Sequence, residues 1–204
     1  MIIIASDGGA VKDSKQKVGY NGAHSSVVRE VEMIGDKPLG WTIKNSFESS
    51  EYCENMTNNV AELNGYNNAI KYVLDGAIPV TVPILFILDS EYTLNCINKW
   101  YKAWKRSEKD GVAYREDWKT HQKLPVKNWK IIKDTRKALD KLIKKGYMVK
   151  TIHVHSHINE ETYGAELYRI CHDNNLKIDE SLFEIIITAN DEADSLCTKA
   201  LQDN

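Results

Sequence analysis

Four acidic residues are spaced so that a folded chain could bring them together. Asp7 follows the β-branched run Ile2-Ile3-Ile4-Ala5. Glu62 falls about one turn into an amphipathic stretch, Asp89 closes the apolar run Val80 to Leu88, and Asp194 lies in a helical pattern near the end of the chain. If the two apolar runs are neighbouring strands, Asp7 and Asp89 lie side by side at one edge of a sheet. Glu62 and Asp194 then lean in from helices packed over it. Carboxylates gathered so closely repel one another strongly unless cations lie between them. Hard oxygen ligands with open coordination positions select Mg²⁺ or Mn²⁺ over zinc. Two such ions about 4 Å apart activate a water and stabilise the leaving oxygen of a phosphodiester.

The elements that must position these acids are legible in outline. Ile2 to Ala5 is a central strand, and 17–24 and 26–34 read as two antiparallel strands with a turn between them. Thr42 to Phe47 reads as a further strand, and the polar, acidic stretch Glu48 to Asn55 as a loop. Thr57 or Asn58 can cap a helix whose apolar stripe is Val60, Leu63, Ala69, Ile70 and Val73, with Gly76 and Pro79 ending it. Val80 to Leu88 is a strand. Tyr92 to about Arg106 is a helix, Val126 to Lys145 another with Trp129, Ile132, Leu139 and Leu142 inward, and Met148 to His155 a strand. Asn159 to Glu184 is too long for a plain connection, holds one helix over Gly164 to Asp173, and reads as an insertion. Asn190 to Leu201 is a short last helix. The implied fold is α/β: a mixed five-stranded sheet flanked by helices, with an insertion before the C-terminal helix. The 204 residues suit a single domain.

Net charge is −2, yet the charge is segregated. Residues 99–150 hold 17 Lys and Arg against 6 Asp and Glu, while the rest holds 10 against 23. A basic quarter of this kind is either a solvated helical face or a surface that tracks phosphates. No apolar run approaches a membrane span, so no membrane partner is expected. The start lacks the basic lead of a signal peptide, and the four cysteines (Cys53, Cys96, Cys171, Cys197) form no CxxC. Free thiols in the cytoplasm and a monomer are the expectation.

The motifs resemble those of the type 1 ribonuclease H family. Asp7-Gly8-Gly9 is similar to its opening Asp-Gly-Ser/Gly, and Thr57-Asn58-Asn59-Val60-Ala61-Glu62-Leu63 to its Thr-Asn-Asn-x-x-Glu-Leu. Leu88-Asp89-Ser90-Glu91-Tyr92 resembles Thr-Asp-Ser-x-Tyr, with Ile97-Asn98-Lys99-Trp100 at the family's distance. Pro125-Val126-Lys127-Asn128 resembles the entry to its later helix, and Asn190-Asp191-Glu192-Ala193-Asp194 its closing Asn-Glu-x-x-Asp. The order is kept through nearly the whole chain.

The resemblance implies a ribonuclease H-like fold and an endonuclease that cuts the RNA strand of RNA–DNA hybrids, leaving 3′-hydroxyl and 5′-phosphate ends. It implies that Asp7, Glu62, Asp89 and Asp194 bind two Mg²⁺ or Mn²⁺ ions when substrate is present. Val154-His155-Ser156-His157 is similar to Val-Lys-Gly-His, which makes His157 the loop histidine that helps proton transfer or product release. His155, or His153, takes that place if the register is off by two. Thr57, Asn58 and Asn59 are implied contacts to the hybrid at a helix N-terminus, discriminating through ribose 2′-hydroxyls. Ser90 is an implied phosphate contact. Residues 100–124 resemble the basic protrusion of bacterial members, with Trp100 as core and with Trp104 and Lys105 against the DNA strand.

Three departures stand out. Val11 to Lys17 replaces a Gly/Pro-rich stretch, leaving no counterpart to an asparagine that reads RNA. Glu91 stands where a polar amide is common. The interval from His157 to Asp194 is long, which places the insertion, about 159–188, beside the catalytic loop. The competing readings are a non-catalytic module binding hybrid or double-stranded RNA, and another nuclease of the same superfold.

Overall fold

The structure is a computed structural model that describes residues 1–12, 20–35, 37–53, 57–105, 108–109, 112–113, 118–120 and 122–203. Seven strands and six helices follow one another along the described chain. They are β1 (Ile2–Lys12), β2 (Tyr20–Ile34), β3 (Lys37–Cys53), α1 (Asn58–Tyr72), β4 (Ile84–Leu88), α2 (Glu91–Asn95), α3 (Tyr101–Lys105), β5 (Glu108–Lys109), β6 (Val112–Ala113), α4 (Trp129–Lys144), β7 (Val149–His153), α5 (Glu160–Asn174) and α6 (Glu180–Gln202). A π-helical turn, Cys96–Trp100, joins α2 to α3, so the predicted helix from Tyr92 is one run as far as Lys105.

Five strands form the main sheet in the order β3-β2-β1-β4-β7. The first three are antiparallel, and β4 and β7 run parallel to β1. Side chains alternate across a strand, and here both faces are covered. Ile2, Ile4, Phe86 and Leu88 pack under Leu63, Tyr66 and Ile70 of α1 and Leu139 and Leu142 of α4. Ile3, Ala5, Leu85 and Ile87 pack under Phe183, Ile186, Ala189 and Ala193 of α6 and Ile170 of α5. Burial on both sides is why the sequence of β1 and β4 reads as unbroken apolar runs. No described helix is long and apolar enough to cross a membrane.

Several boundaries differ from expectation. Strand β1 runs on through the glycines to Lys12, held by its antiparallel ladder with β2. In place of the two expected strands over 17–34, the described residues form one, Tyr20–Ile34, whose register shifts at Val28/Arg29 and Glu32/Met33 absorb the irregular pattern; residues 17–19 lie outside the described residues. The expected loop from Glu48 is strand as far as Cys53, because β3 keeps its antiparallel ladder with β2 as far as Tyr20 opposite Cys53; residues 54 and 55 lie outside the described residues. The strand expected from Val80 begins only at Ile84.

Helix α5 spans more than Gly164 to Asp173, because Asn159 and Thr162 form a capping box at its start. Helix α6 begins ten residues before Asn190. Asp179 caps it by accepting from Leu182 N–H, and Leu182, Phe183, Ile185 and Ile186 continue a helical stripe into the core. The β-branched Ile185-Ile186-Ile187-Thr188 argues locally for a strand, and tertiary burial overrides that preference. The 159–188 segment is therefore α5, a short turn and the first part of α6. Trp129, expected to face inward, is 37% exposed at the first turn of α4, with its ring 6.2 Å from that of Trp118.

Candidate active site

The parallel pairing of β1 with β4 ends at Ser6 opposite Leu88. The next residue on each strand is a candidate acid, so Asp7 and Asp89 emerge together at the carboxyl end of the central strands, where α/β sheets hold ligands. Glu62 reaches the same point because α1 lies unusually close to β1. A Cβ on Gly8 would come within 2.3 Å of Ala61 C and Glu62 N, and one on Gly65 within 2.8 Å of Asp7 O. These two glycines let helix and strand backbones touch. Asn58 Oδ1 accepts from Ala10 N–H at 2.8 Å, tying the start of α1 to β1.

One carboxylate oxygen from each of Asp7, Glu62 and Asp89 lies within 4.8 Å of the other two. Asp194 stands outside this set of three, on α6, but its charge acts on all three acids. The register of α6 is fixed from β2: Ser25 donates to Ala193 O at 2.5 Å, and buried Arg29 donates to Ile185 O, Thr188 Oγ1 and Glu192 Oε2.

Burial, followed by repulsion from Asp89, raises the Asp7 carboxyl to about 7. Burial and then Asp89 and Asp7 push Glu62 well above the usual carboxylate range. Burial also raises Asp89. Asp89 Oδ2 accepts from Ser156 Oγ at 3.1 Å, while its buried Oδ1 has no hydrogen-bond partner among the described residues. Oxygen-only donors, mutual repulsion and an unpaired buried oxygen are the conditions a hard divalent cation relieves. The residues present fit such an ion.

The other predicted positions divide. Thr57, Asn58 and Asn59 are exposed at the start of α1, where Thr57 Oγ1 caps by accepting from Val60 N–H at 3.4 Å. Ser90 caps α2, accepting from Thr93 N–H at 3.2 Å. Trp104 is half-buried with its ring 5.6 Å from that of Trp100, and both pack against the core. The side chain of Lys105, like most of the 100–124 protrusion, lies outside the described residues. His157 is exposed in a left-handed backbone conformation, φ +56°, within electrostatic reach of Asp191. His153 Nε2 lies 2.9 Å from Asp89 O, and His155 Nδ1 lies 2.8 Å from Glu166 Oε2.

Sequence reasoning missed Ser156 on Asp89, Arg29 under α6, and Cys197, whose thiol meets Asp7 and is pushed up by burial. Ser156 was within reach of inference, since it sits inside the Val-His-Ser-His motif. A lone arginine on an alternating strand gives no comparable signal.

The RNase H family profile matches residues 2–175. This chain belongs to the RNase H family. The ribonuclease H of Clostridium botulinum is 35% identical over 106 residues, covering 52% of this chain and 58% of that protein. The chain thus matches little more than half the length of its curated relatives. The solution structure of the PFV RNase H domain aligns with a TM-score of 0.59 at 20% identity, covering 99% of this chain and 94% of that one. A foamy viral protease-reverse transcriptase in complex with RNA/DNA hybrid aligns at 0.58 and 16% identity, covering all of this chain and 20% of that one. At such identities these structures establish the RNase H fold, a mixed five-stranded sheet with flanking helices.

Proposed function

We propose that this RNase H family member is a divalent-metal-dependent endonuclease that hydrolyses the RNA strand of RNA–DNA hybrids, leaving 3′-hydroxyl and 5′-phosphate ends. The observation that carries the proposal is the convergence of Asp7, Glu62 and Asp89, within 4.8 Å, at the strand ends beside the Thr-Asn-Asn helix start. Asp7, Glu62, Asp89 and Asp194 would hold two Mg²⁺ or Mn²⁺ ions. Bound there, such a pair supplies an activated water and charge neutralisation at the leaving oxygen.

The chain's own residues do the rest. Asp7, Glu62 and Asp89 concentrate negative charge at one point, which fixes where cations would be held and where charge is neutralised. Ser156 orients Asp89. Thr57, Asn58 and Asn59, exposed at a helix start, offer a hydroxyl, amides and backbone N–H groups to the sugar-phosphate edge of the hybrid. Ser90 is assigned to a phosphate, Trp104 and Lys105 to the DNA strand, and His157, within electrostatic reach of Asp191, to proton transfer or product release. Two findings support the hybrid as substrate: the curated relative is named Ribonuclease H, and one structural neighbour was solved with RNA/DNA hybrid.

The test is cleavage of an end-labelled hybrid with Mg²⁺ or Mn²⁺, beside DNA-only and RNA-only duplexes. Hybrid cleavage abolished by chelator and by Asp89→Asn is expected. An intact hybrid in both metals defeats the enzyme reading, and cutting of duplex DNA alone reassigns the chain to another nuclease class.

A further inference from the structure

Helix α5 lies outside the carboxylate cluster, yet it grips the loop beside it. Glu166, 6% exposed, points inward from α5, and four donors converge on its two oxygens. Arg169 donates from Nε to Oε2 at 2.7 Å and from Nη2 to Oε1 at 2.5 Å. The backbone N–H of His155 donates to Oε1 at 2.9 Å, and His155 Nδ1 lies 2.8 Å from Oε2. Arg169 Nη2 also donates to His153 O at 2.9 Å.

Burial alone would push the Glu166 carboxyl up, but the Arg169 fork and the His155 donors outweigh it and hold it down at about 2. An ionised carboxylate only accepts, so the His155 ring carries its hydrogen on Nδ1 and presents Nε2 outward. The fork from Arg169, one helical turn away, already compensates the buried charge. The two further bonds, both to residue 155, join the helix to the loop.

The same loop is tied to the carboxylate site on its other side. Val154 N–H donates to Leu88 O at 2.9 Å, and His153 Nε2 sits 2.9 Å from Asp89 O. Ser156 Oγ donates to Asp89 Oδ2. Residues 153–156 are therefore held between Asp89 and Glu166, and His157 follows, within electrostatic reach of Asp191. From this geometry we infer that Glu166, braced by Arg169, is a positioning residue for the active site: it fixes the loop that seats Ser156 on Asp89 and presents His157. The inference rests on the ribonuclease reading above, and it gives α5 a role in catalysis beyond covering the sheet.

The experiment compares Glu166→Gln, Glu166→Asp and Arg169→Ala with Glu161→Gln, an exposed change on the same helix. Two readouts are taken: amide hydrogen exchange of the metal-free protein, and kcat and KM on hybrid with Mg²⁺. Loss of charge-assisted bonds in Glu166→Gln should speed exchange at His155 and Ser156 about 10-fold, with β1 and β4 unchanged. A displaced loop should lower kcat on the order of 10- to 100-fold, with KM within roughly two-fold. Glu166→Asp should recover part of the loss, and Glu161→Gln should match wild type. Unchanged exchange at 155 and 156, or faster exchange with unchanged kcat, overturns the inference. Protection lost throughout the sheet in every Glu166 and Arg169 variant also overturns it, marking the cluster as a fold-wide support. If wild type leaves the hybrid intact, the ribonuclease reading fails, and the exchange readout alone decides whether Glu166 holds the loop.

Discussion

At the scale of single residues, the site works against the fold that holds it. Asp7 has a carboxyl raised from an ordinary 3.8 to about 7 in the folded chain. Between those values the native state binds more protons than the unfolded state, so stability falls as pH rises through the window and is lowest above it. The full shift corresponds to about 4 kcal/mol, and the sharing of protons among coupled acids makes the measurable effect smaller. Metal-free protein is therefore expected to melt at a lower temperature at pH 8 than at pH 5.5, and Mg²⁺ should restore more at pH 8, where protons no longer compete for the acids. Thermal melts with chelator or Mg²⁺ at both pH values check this; equal Mg²⁺ shifts at the two would contradict it. Replacing one acid removes repulsion along with function. Asp89→Asn should stabilise the metal-free protein by about 1 kcal/mol at pH 8 while abolishing hybrid cleavage. A destabilised Asp89→Asn protein would show that the acid supports the fold.

At the scale of elements, two contacts place the acids, and both belong to residues outside the carboxylate set. Gly8→Ala drives a methyl group into the backbone of α1 at Ala61 and Glu62. It should cost about 1–3 kcal/mol in denaturant melts and weaken Mg²⁺ binding, because Glu62 moves with the helix. Unchanged metal affinity in the calorimeter would argue that α1 adjusts without carrying Glu62 away. Arg29, 3% exposed, joins β2 to three successive turns of α6. Arg29→Ala strips a buried anchor and should cost about 3 kcal/mol or more; a cost under about 1 kcal/mol would mean that the apolar packing of Phe183 and Ile186 alone sets the register of α6.

These contacts also mark how far the sequence carries. Strands β1 and β4, helix α1 and the meeting of Asp7, Glu62 and Asp89 are legible because local pattern and tertiary placement agree there: apolar runs end at carboxylates, and Thr57 caps the helix that bears Glu62. Asp194, which the spacing also sends to that pocket, stands outside the group of three. The start of α6 is not legible, since Ile185 to Thr188 prefer a strand until Asp179 caps the helix and the sheet buries one face of it. The grip of Glu166 on His155 is equally hidden. It joins residues from a helix and a loop, and neither residue type nor spacing announces it.

At the scale of the whole molecule, the charge is polarised. The acids meet at one end of the sheet, while the basic quarter spans the segment that includes α3 and α4. Lys99 and Lys102 are exposed on the helical run that follows Asp89. Lys145 reaches Leu74 O beyond the far end of α1, about 18 Å along the helix from Glu62 at 1.5 Å per residue. Lys99 lies nine residues beyond Ser90 on the run that starts beside Asp89, about 14 Å at the same rise. Binding of hybrid to the cleavage-dead Asp89→Asn protein should weaken steeply with salt, each lysine–phosphate contact contributing about one unit to the slope of log affinity against log salt. Adding Lys99→Gln and Lys102→Gln should flatten that slope by about 1–2 units, whereas Lys144→Gln with Lys145→Gln should leave it unchanged. Titrations between about 50 and 200 mM salt distinguish the cases. Equal flattening by both pairs would show that the basic quarter acts as a diffuse field steering the duplex from a distance. An effect confined to the first pair ties the duplex to the surface that runs from Asp89 into the basic protrusion.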